Sequence, residues 1–502
     1  MSRIWYIVLA LVTTPYIVTK LGTDAYGILS ITLTLVGYFS LTEIGMGNTL
    51  VKYLSEYLAS KSEQKVEKLV QTAFIYYALI GIVGSILIAL FTPLMTTRVI
   101  NVPQELHRTT RIAFYITGAS FFFNMMVTFL GSVLRGYQRF ELMAIRNIGV
   151  HTVSIVSTVS LLSLGYGLVS IVALNFLVRF VNSSIFFVIA KRLLGTISLV
   201  PRWDRSMFNI LFHFSKWKFM GGISSKVAYS FDRVLIASLV NVSQLTYYMI
   251  PLNLSQMIGK RLIGVVNQVI YPFMSESVTI DTFKDQKELY FRSLKWIMML
   301  LSPATLYLMV FGDKFLFYWI GEEFSRRGSL ILYILCISYF LGTLVYNDSV
   351  YFEAKGNSKL PNLVASGSML IIVVLDILLL PLVGIVGAAI GFSVATISTG
   401  IYMKHRTLYR MLDSGWSEFF RVVILKPGIA LIMASVVLFP LRLVGNHLFY
   451  YFFFVPITGL TAFLLFLLCG CFDDRDKEII RSFILKITPQ VFKLKFGKKS
   501  VS

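Results

Sequence analysis

Apolar runs of about 20 residues, parted by short polar segments, recur along the whole chain. Each is long enough to cross ~30 Å of hydrocarbon as a helix. The pattern predicts fourteen spans, at about 3–19, 25–51, 69–95, 110–134, 142–164, 167–190, 210–239, 245–272, 291–312, 328–352, 360–381, 384–404, 422–442 and 448–470. The runs are too continuous for membrane strands of ~10 alternating residues. An all-α polytopic membrane protein is expected, and no cleavage site follows the first run to make it a signal peptide.

Composition agrees: of 502 residues 56% are hydrophobic and 14% charged, where a soluble protein carries roughly 25% charge. Mean hydropathy is +0.74. The net charge of +21 raises the question of nucleic acid, but its distribution answers it. With both termini in the cytoplasm, cytoplasmic segments hold 33 of the 46 Lys and Arg, outer segments eight and the spans five. That bias is the positive-inside rule, so the basic balance reflects topology and no nucleic-acid partner is expected. The outer loops are too short for a catalytic domain. The tail "DDRDKEIIRSFILKITPQVFKLKFGKK" reads as a basic amphipathic helix on an anionic membrane surface. Cys336, Cys469 and Cys471 have no metal or disulfide spacing.

An internal repeat emerges at an offset near 220. "RGYQRFELMAIRN" from Arg135 aligns with "KGNSKLPNLVAS" from Lys355, "LGTDAYGIL" from Leu21 with "LVNVSQLTYYMI" from Leu239, and "GYGLVSIVAL" with "PLVGIVGAAI". The expected organisation is a six-helix lobe (1–192), a cytoplasmic linker (193–209), a second six-helix lobe (210–406), two additional helices (407–470) and a basic tail (471–502). Six spans per repeat is even, so the relating axis runs along the membrane normal, with a cavity between the lobes.

Charges inside the spans are the candidate chemistry. "GGISSKVAYSFDRVLIASLV" (221–240) holds Lys226, Asp232 and Arg233, and each charge at a helix centre costs ~2.5–3.5 kcal/mol even on the lenient insertion scale. Lys226 and Arg233, two turns apart, share a face. Span 8 carries Asn253, Gln256, Lys260 and Asn267 on one stripe with Arg261 beside it, and span 6 carries Asn175, Arg179 and Asn182. Span 5 shows Asn147, His151, Ser154 and Thr158 at helical spacing, and span 4 shows Asn124 and Thr128. Of the acidic groups in spans, Asp348 and Asp376 fall near span ends, leaving Glu43 and Asp232 as partners or ion-coupling sites. If Asp232 pairs with its neighbour Arg233, a surplus of positive charge remains. The plainer reading pairs or snorkels each cation. Taken together, Arg179, Lys226, Arg233, Lys260 and Arg261 instead describe a cationic central cavity suited to an anionic cargo.

The stretches "LGTDAYGILSITLTLVGYFSLTEIGMGNTLVKY", "FDRVLIASLV", "YYMIPLNLSQMIG", "YWIGEEF" and "GIVGAAIGFSVAT" resemble the polysaccharide-transporter branch of the multidrug/oligosaccharidyl-lipid/polysaccharide exporter superfamily. Within it the chain is similar to the Wzx-type flippases of O-antigen and capsule repeat units. The resemblance implies two six-helix lobes around a cavity, no enzymatic activity, no cofactor, and alternating access coupled to a proton or sodium gradient or to the membrane potential. The implied cargo is an undecaprenyl-diphosphate-linked oligosaccharide, moved from the inner to the outer leaflet of a bacterial cytoplasmic membrane. Polysaccharide polymerase and chain-length proteins are the implied partners. The family also implies a groove for the polyprenyl tail in spans 13 and 14, where "HLFYYFFFVPITGLTAFLLFLL" is apolar and aromatic. Two departures stand out: the first span starts almost at the initiator Met and contains Pro15, and Glu43 stands where the family more often has Asp. A lipid II flippase and a multidrug antiporter on the same scaffold are the alternatives.

Overall fold

The structure, a computed structural model, describes residues 2–43, 45–195, 200–213, 215, 230–257, 282–355, 359–444, 447–473 and 476. Among these every regular element is helical. The first half holds α1 (Ser2–Leu21), α2 (Thr23–Phe39), α3 (Met46–Ala59), α4 (Glu63–Leu94), α5 (His107–Gly136), α6 (Phe140–Ser163) and α7 (Leu168–Leu194). The second holds α8 (Phe231–Leu235), α9 (Val242–Gln256), α10 (Phe283–Ile320), α11 (Glu322–Ala354), α12 (Lys359–Val383), α13 (Ile385–Arg406), α14 (Lys426–Leu438) and α15 (Leu448–Leu468). Ten helical stretches among the described residues are long and apolar enough to cross a membrane, and Val8–Leu21 is a shorter apolar helix.

The second expected span is divided. α2 stops at Phe39, a 3-10 turn covers Ser40–Glu43, and α3 starts after Gly45. Gly45 has φ +90, a left-handed backbone that glycine alone adopts without a Cβ penalty. The apolar run reads through because a one-turn break leaves its hydropathy unchanged; Gly45 was the signal of the break.

The connections at residues 60–62, 136–140 and 200–204 mark one end of the molecule, called here the linker end; the turns at Gly22, Asn101 and Asn241 mark the far end. At the linker end, Asp204 Oδ1 accepts the backbone N–H groups of Ser206 (2.9 Å) and Met207 (3.1 Å) and starts a helix over 205–213. Hydrogen bonds from Ser206 and Met207, with Lys68 nearby, hold its carboxyl down to about 2. One core joins α3, α4, α5 and α7 through Leu50, Leu69, Tyr77, Phe129 and Phe186. The other joins α9 to α15 and takes in Ile28 and Ile31 of α2.

The two halves meet at the far end, along α2 and α9. A Cβ on Gly27 would lie 2.0 Å from the Val242 carbonyl oxygen, so only glycine permits this approach. Beside it the Ser243 hydroxyl donates to Thr23 Oγ1 (2.8 Å), and the Thr246 hydroxyl donates to the Thr23 carbonyl (2.6 Å). Thr23 and Ser243 are 220 residues apart in sequence, so the contact joins the two halves of the chain. Asn101 completes the seam: its backbone N–H donates to the Ala237 carbonyl and its side-chain amide to that of Val240, both at 2.8 Å.

Gly27→Val should hold this seam apart, since overpacking a tight contact costs ~1–3 kcal/mol. The pair Thr23→Cys and Ser243→Cys should cross-link readily on oxidation, and far less once Gly27→Val is added. Equal cross-linking would contradict the close approach.

Candidate functional site

The cations inside the fold divide into those with intramolecular partners and those without. Lys404 is the clearest of the first kind. Sorting by polar segments put it in a loop; the structure extends α13 through it and buries it to 3% exposure beside a fully buried Asp348. Its Nζ donates to Asp348 Oδ1 (2.9 Å), the Tyr290 hydroxyl (2.9 Å) and the Leu344 carbonyl (3.0 Å), while the Tyr290 hydroxyl donates to Asp348. Lys295 is held by Asp476 (2.5 Å) and Asp473 (3.2 Å), and Trp296 Nε1 donates to Asp476. The first residues of the tail are therefore docked on α10. Arg442 pairs with Asp313 at 2.5 Å. These cations are spent on structure.

Arg233 is of the second kind. The expected pairing with Asp232 is not what forms. Consecutive helical residues point about a quarter-turn apart, and Asp232 turns away to accept the Tyr248 hydroxyl (2.5 Å) and the backbone N–H of Arg233 (2.8 Å). The buried Arg233 Nε has no hydrogen-bond partner among the described residues. Arg233 lines a cavity of about 240 Å³ together with Thr14, Ser30, Asn253 and Trp319. Asp376, expected near a span end, is fully buried on α12, which packs against α8, the helix of Asp232. Neither of its carboxylate oxygens has a donor among the described residues. Its position in the sequence hid this, because α12 runs past it to Val383.

In the first half the polar stripe of α7 is assembled as its spacing suggested. Arg179 donates to Ser120 of α5 (2.9 Å), and Asn182 accepts from Arg146 of α6 (2.8 Å). Arg146 also donates to Asn147 (2.9 Å) and lies over the Phe186 ring at 4.5 Å. Sequence reasoning left Arg146 in a polar segment; α6 already starts at Phe140, and its spacing to the Asn147 and His151 stripe was the signal. Asn124 donates to Ser40 (3.3 Å), Asn175 is half-buried, and His151 is exposed. Gln256 donates to the Tyr339 hydroxyl (3.0 Å). Glu43, at the break after α2, accepts from the Tyr77 hydroxyl (3.0 Å), with Arg135 near it. Lys226, Lys260, Arg261 and Asn267 lie outside the described residues.

A second cavity, of about 550 Å³ and almost wholly apolar, adjoins the first. Leu300, Pro303, Tyr307 and Leu308 of α10 form one wall, and Phe452, Val455, Pro456 and Gly459 of α15 another. Leu11, Leu254 and Met257 line both cavities. A chamber of mixed lining that carries one cation, Arg233, thus adjoins an apolar trough, an arrangement that suits an amphiphile with an anionic head.

A family described as "Polysaccharide biosynthesis protein" matches residues 21–327. The chain belongs to that family. It is 20% identical over 405 residues to a Shigella flexneri protein named "Putative O-antigen transporter", covering 79% of this chain and 93% of the relative. Among solved structures, it is similar to the lipid II flippase MurJ in an inward closed conformation: TM-score 0.74, 16% identity, 96% of this chain and 98% of that one. It also resembles an inward-facing multidrug resistance MATE family transporter of the MOP superfamily, with TM-score 0.65, 14% identity, and 80% and 94% covered. A MOP superfamily transporter from Pyrococcus furiosus, whose binding pocket is described as having reverse polarity, matches with TM-score 0.57, 13% identity, and 81% and 95% covered. These relatives are transporters and flippases, not enzymes. The likeness shows a multi-pass membrane protein of the polysaccharide biosynthesis family with their helical fold.

Breaking a buried ion pair from one side strands the other charge, at ~3–5 kcal/mol. Asp348→Ala should therefore lower thermal stability sharply in detergent, and Asp348→Leu with Lys404→Met should recover most of it. Equal losses in the single and double variants would show that Lys404 is solvated instead.

Proposed function

We propose that this protein is a flippase for lipid-linked oligosaccharides. Its cargo is an undecaprenyl-diphosphate-linked repeat unit of an O-antigen, capsule or exopolysaccharide, turned from the inner to the outer leaflet. The observation that carries this reading is the pair of adjoining cavities. Arg233, whose Nε has no partner among the described residues, suits a diphosphate, which binds Arg strongly where water is scarce. Asn253 offers sugar hydroxyls both donors and an acceptor, while Thr14 and Ser30, whose hydroxyls donate to Ala10 and Tyr26, offer acceptors. The trough between α10 and α15 suits the polyprenyl tail. Arg179, Lys226, Lys260 and Arg261 complete the cationic path, with Asn124, Asn175, Asn182, Gln256 and Asn267 along it.

In this reading fourteen spans form two six-helix lobes plus two additional helices, and both termini face the cytoplasm. The lobes rock about the contact of α2 with α9. Membership of the polysaccharide biosynthesis family and the likeness to a lipid II flippase support the class of cargo. Ion coupling falls to Asp232 with Asp376, both buried on helices that pack together, because a carboxylate kept from water must take up a proton or a cation. Glu43, already bound by Tyr77, is the second coupling candidate.

The test is transfer in liposomes loaded with a labelled polyprenyl-diphosphate oligosaccharide, scored by appearance of the sugar on the opposite leaflet. Wild type should move it, and Arg233→Ala should slow it roughly tenfold or more, the worth of a charge-assisted hydrogen bond. A proton or sodium gradient should speed the wild type, and Asp376→Asn should remove that dependence. If wild type moves no glycan lipid but exchanges small organic solutes for protons, the chain is an antiporter. Full gradient dependence in Asp376→Asn would take coupling away from this pair.

A further inference from the structure

α1 reaches across to the second half of the chain, and a single proline explains how it is held there. Pro15 lies inside α1. A proline in a helix has no N–H to give to the carbonyl four residues back, which here is Leu11. Thr13 and Thr14 cover neighbouring carbonyls of the same turn, donating to Leu9 (2.8 Å) and Ala10 (2.6 Å). The Leu11 carbonyl is taken instead by the indole N–H of Trp319, at 2.8 Å and 308 residues away. A buried indole N–H needs an acceptor, and in hydrocarbon a carbonyl freed by proline needs a donor, so each satisfies the other. The Trp319 ring is stacked on Phe315, with centroids 5.2 Å apart and planes 24° apart. Leu11 lines both cavities, and Trp319 lines the one with Arg233.

We propose that Trp319 is a positioning residue: through the carbonyl that Pro15 frees, it holds α1 as the shared wall between the head cavity and the tail trough. The inference rests on the proposed flippase reading for its consequence, though not for its geometry. When α1 swings aside to admit or release an amphiphile this bond breaks, and when it re-forms the two cavities are again separate. Proline at 15 therefore leaves the Leu11 carbonyl without a competing helical donor, beyond any kink it produces.

The experiment uses the full chain in nanodiscs and liposomes, with spin labels at the exposed Val12 on α1 and Ile337 on α11. Trp319→Phe keeps the stacked ring and removes the N–H; Pro15→Ala gives Leu11 back its own helical donor. Each should broaden the distance distribution between the labels and slow glycan-lipid transfer about two- to tenfold, the range for one neutral hydrogen bond. The double variant should be no worse than either single one, because both remove the same bond. Trp319→His, which keeps a ring N–H, should narrow the distribution again. An unchanged distribution in Trp319→Phe, or effects of the two substitutions that simply add, would overturn the latch. If the distribution broadens as described but wild type moves no glycan lipid, the latch stands and the cargo assignment falls.

Discussion

A charge inside hydrocarbon must be paired or hydrated, and the rest of this structure can be read from how each one complies. Lys404 and Asp348 cancel within the second core, tied by Tyr290 and the Leu344 carbonyl. Lys295 is neutralised by the tail through Asp473 and Asp476. Arg233 has no such partner among the described residues and faces a cavity. Partnered cations hold helices together, and Arg233 stands apart from them among the described residues.

The same economy governs how the halves are joined. Lipid offers no hydrophobic gain for helix association, so close packing and hydrogen bonds decide it. Gly27 lets α2 approach the α9 backbone, and Thr23, Asn101, Ser243 and Thr246 supply the polar contacts. Around these polar contacts the seam is apolar: Ile28, Ile31 and Leu35 of α2 are buried in the core of the second half.

Much of the helical order was legible because membrane spans are written as long apolar runs. Helical spacing alone groups Asn175, Arg179 and Asn182; it could not tell that Arg179 finds its partner on α5 and Asn182 on α6. What failed were the ends of spans. Arg146, Lys404 and Asp376 sit within a few residues of polar segments, where hydropathy cannot separate a buried charge from a loop charge. The pairing of Asp232 with Arg233 failed for another reason: adjacent positions in a chain are not adjacent directions on a helix. The Leu11 and Trp319 contact was invisible in principle, because nothing local ties residues 308 apart.

The central claim is that the Arg233 cavity receives an anionic head while the neighbouring trough receives the tail. Native mass spectrometry of the purified protein would test it most directly, comparing a polyprenyl-diphosphate oligosaccharide with the uncharged polyprenyl alcohol. The account predicts that wild type retains the diphosphate lipid far better than the alcohol. It also predicts that Arg233→Ala lowers retention of the diphosphate lipid and leaves that of the alcohol unchanged. Retention indifferent to the diphosphate, or an equal loss of both lipids in the variant, would contradict it.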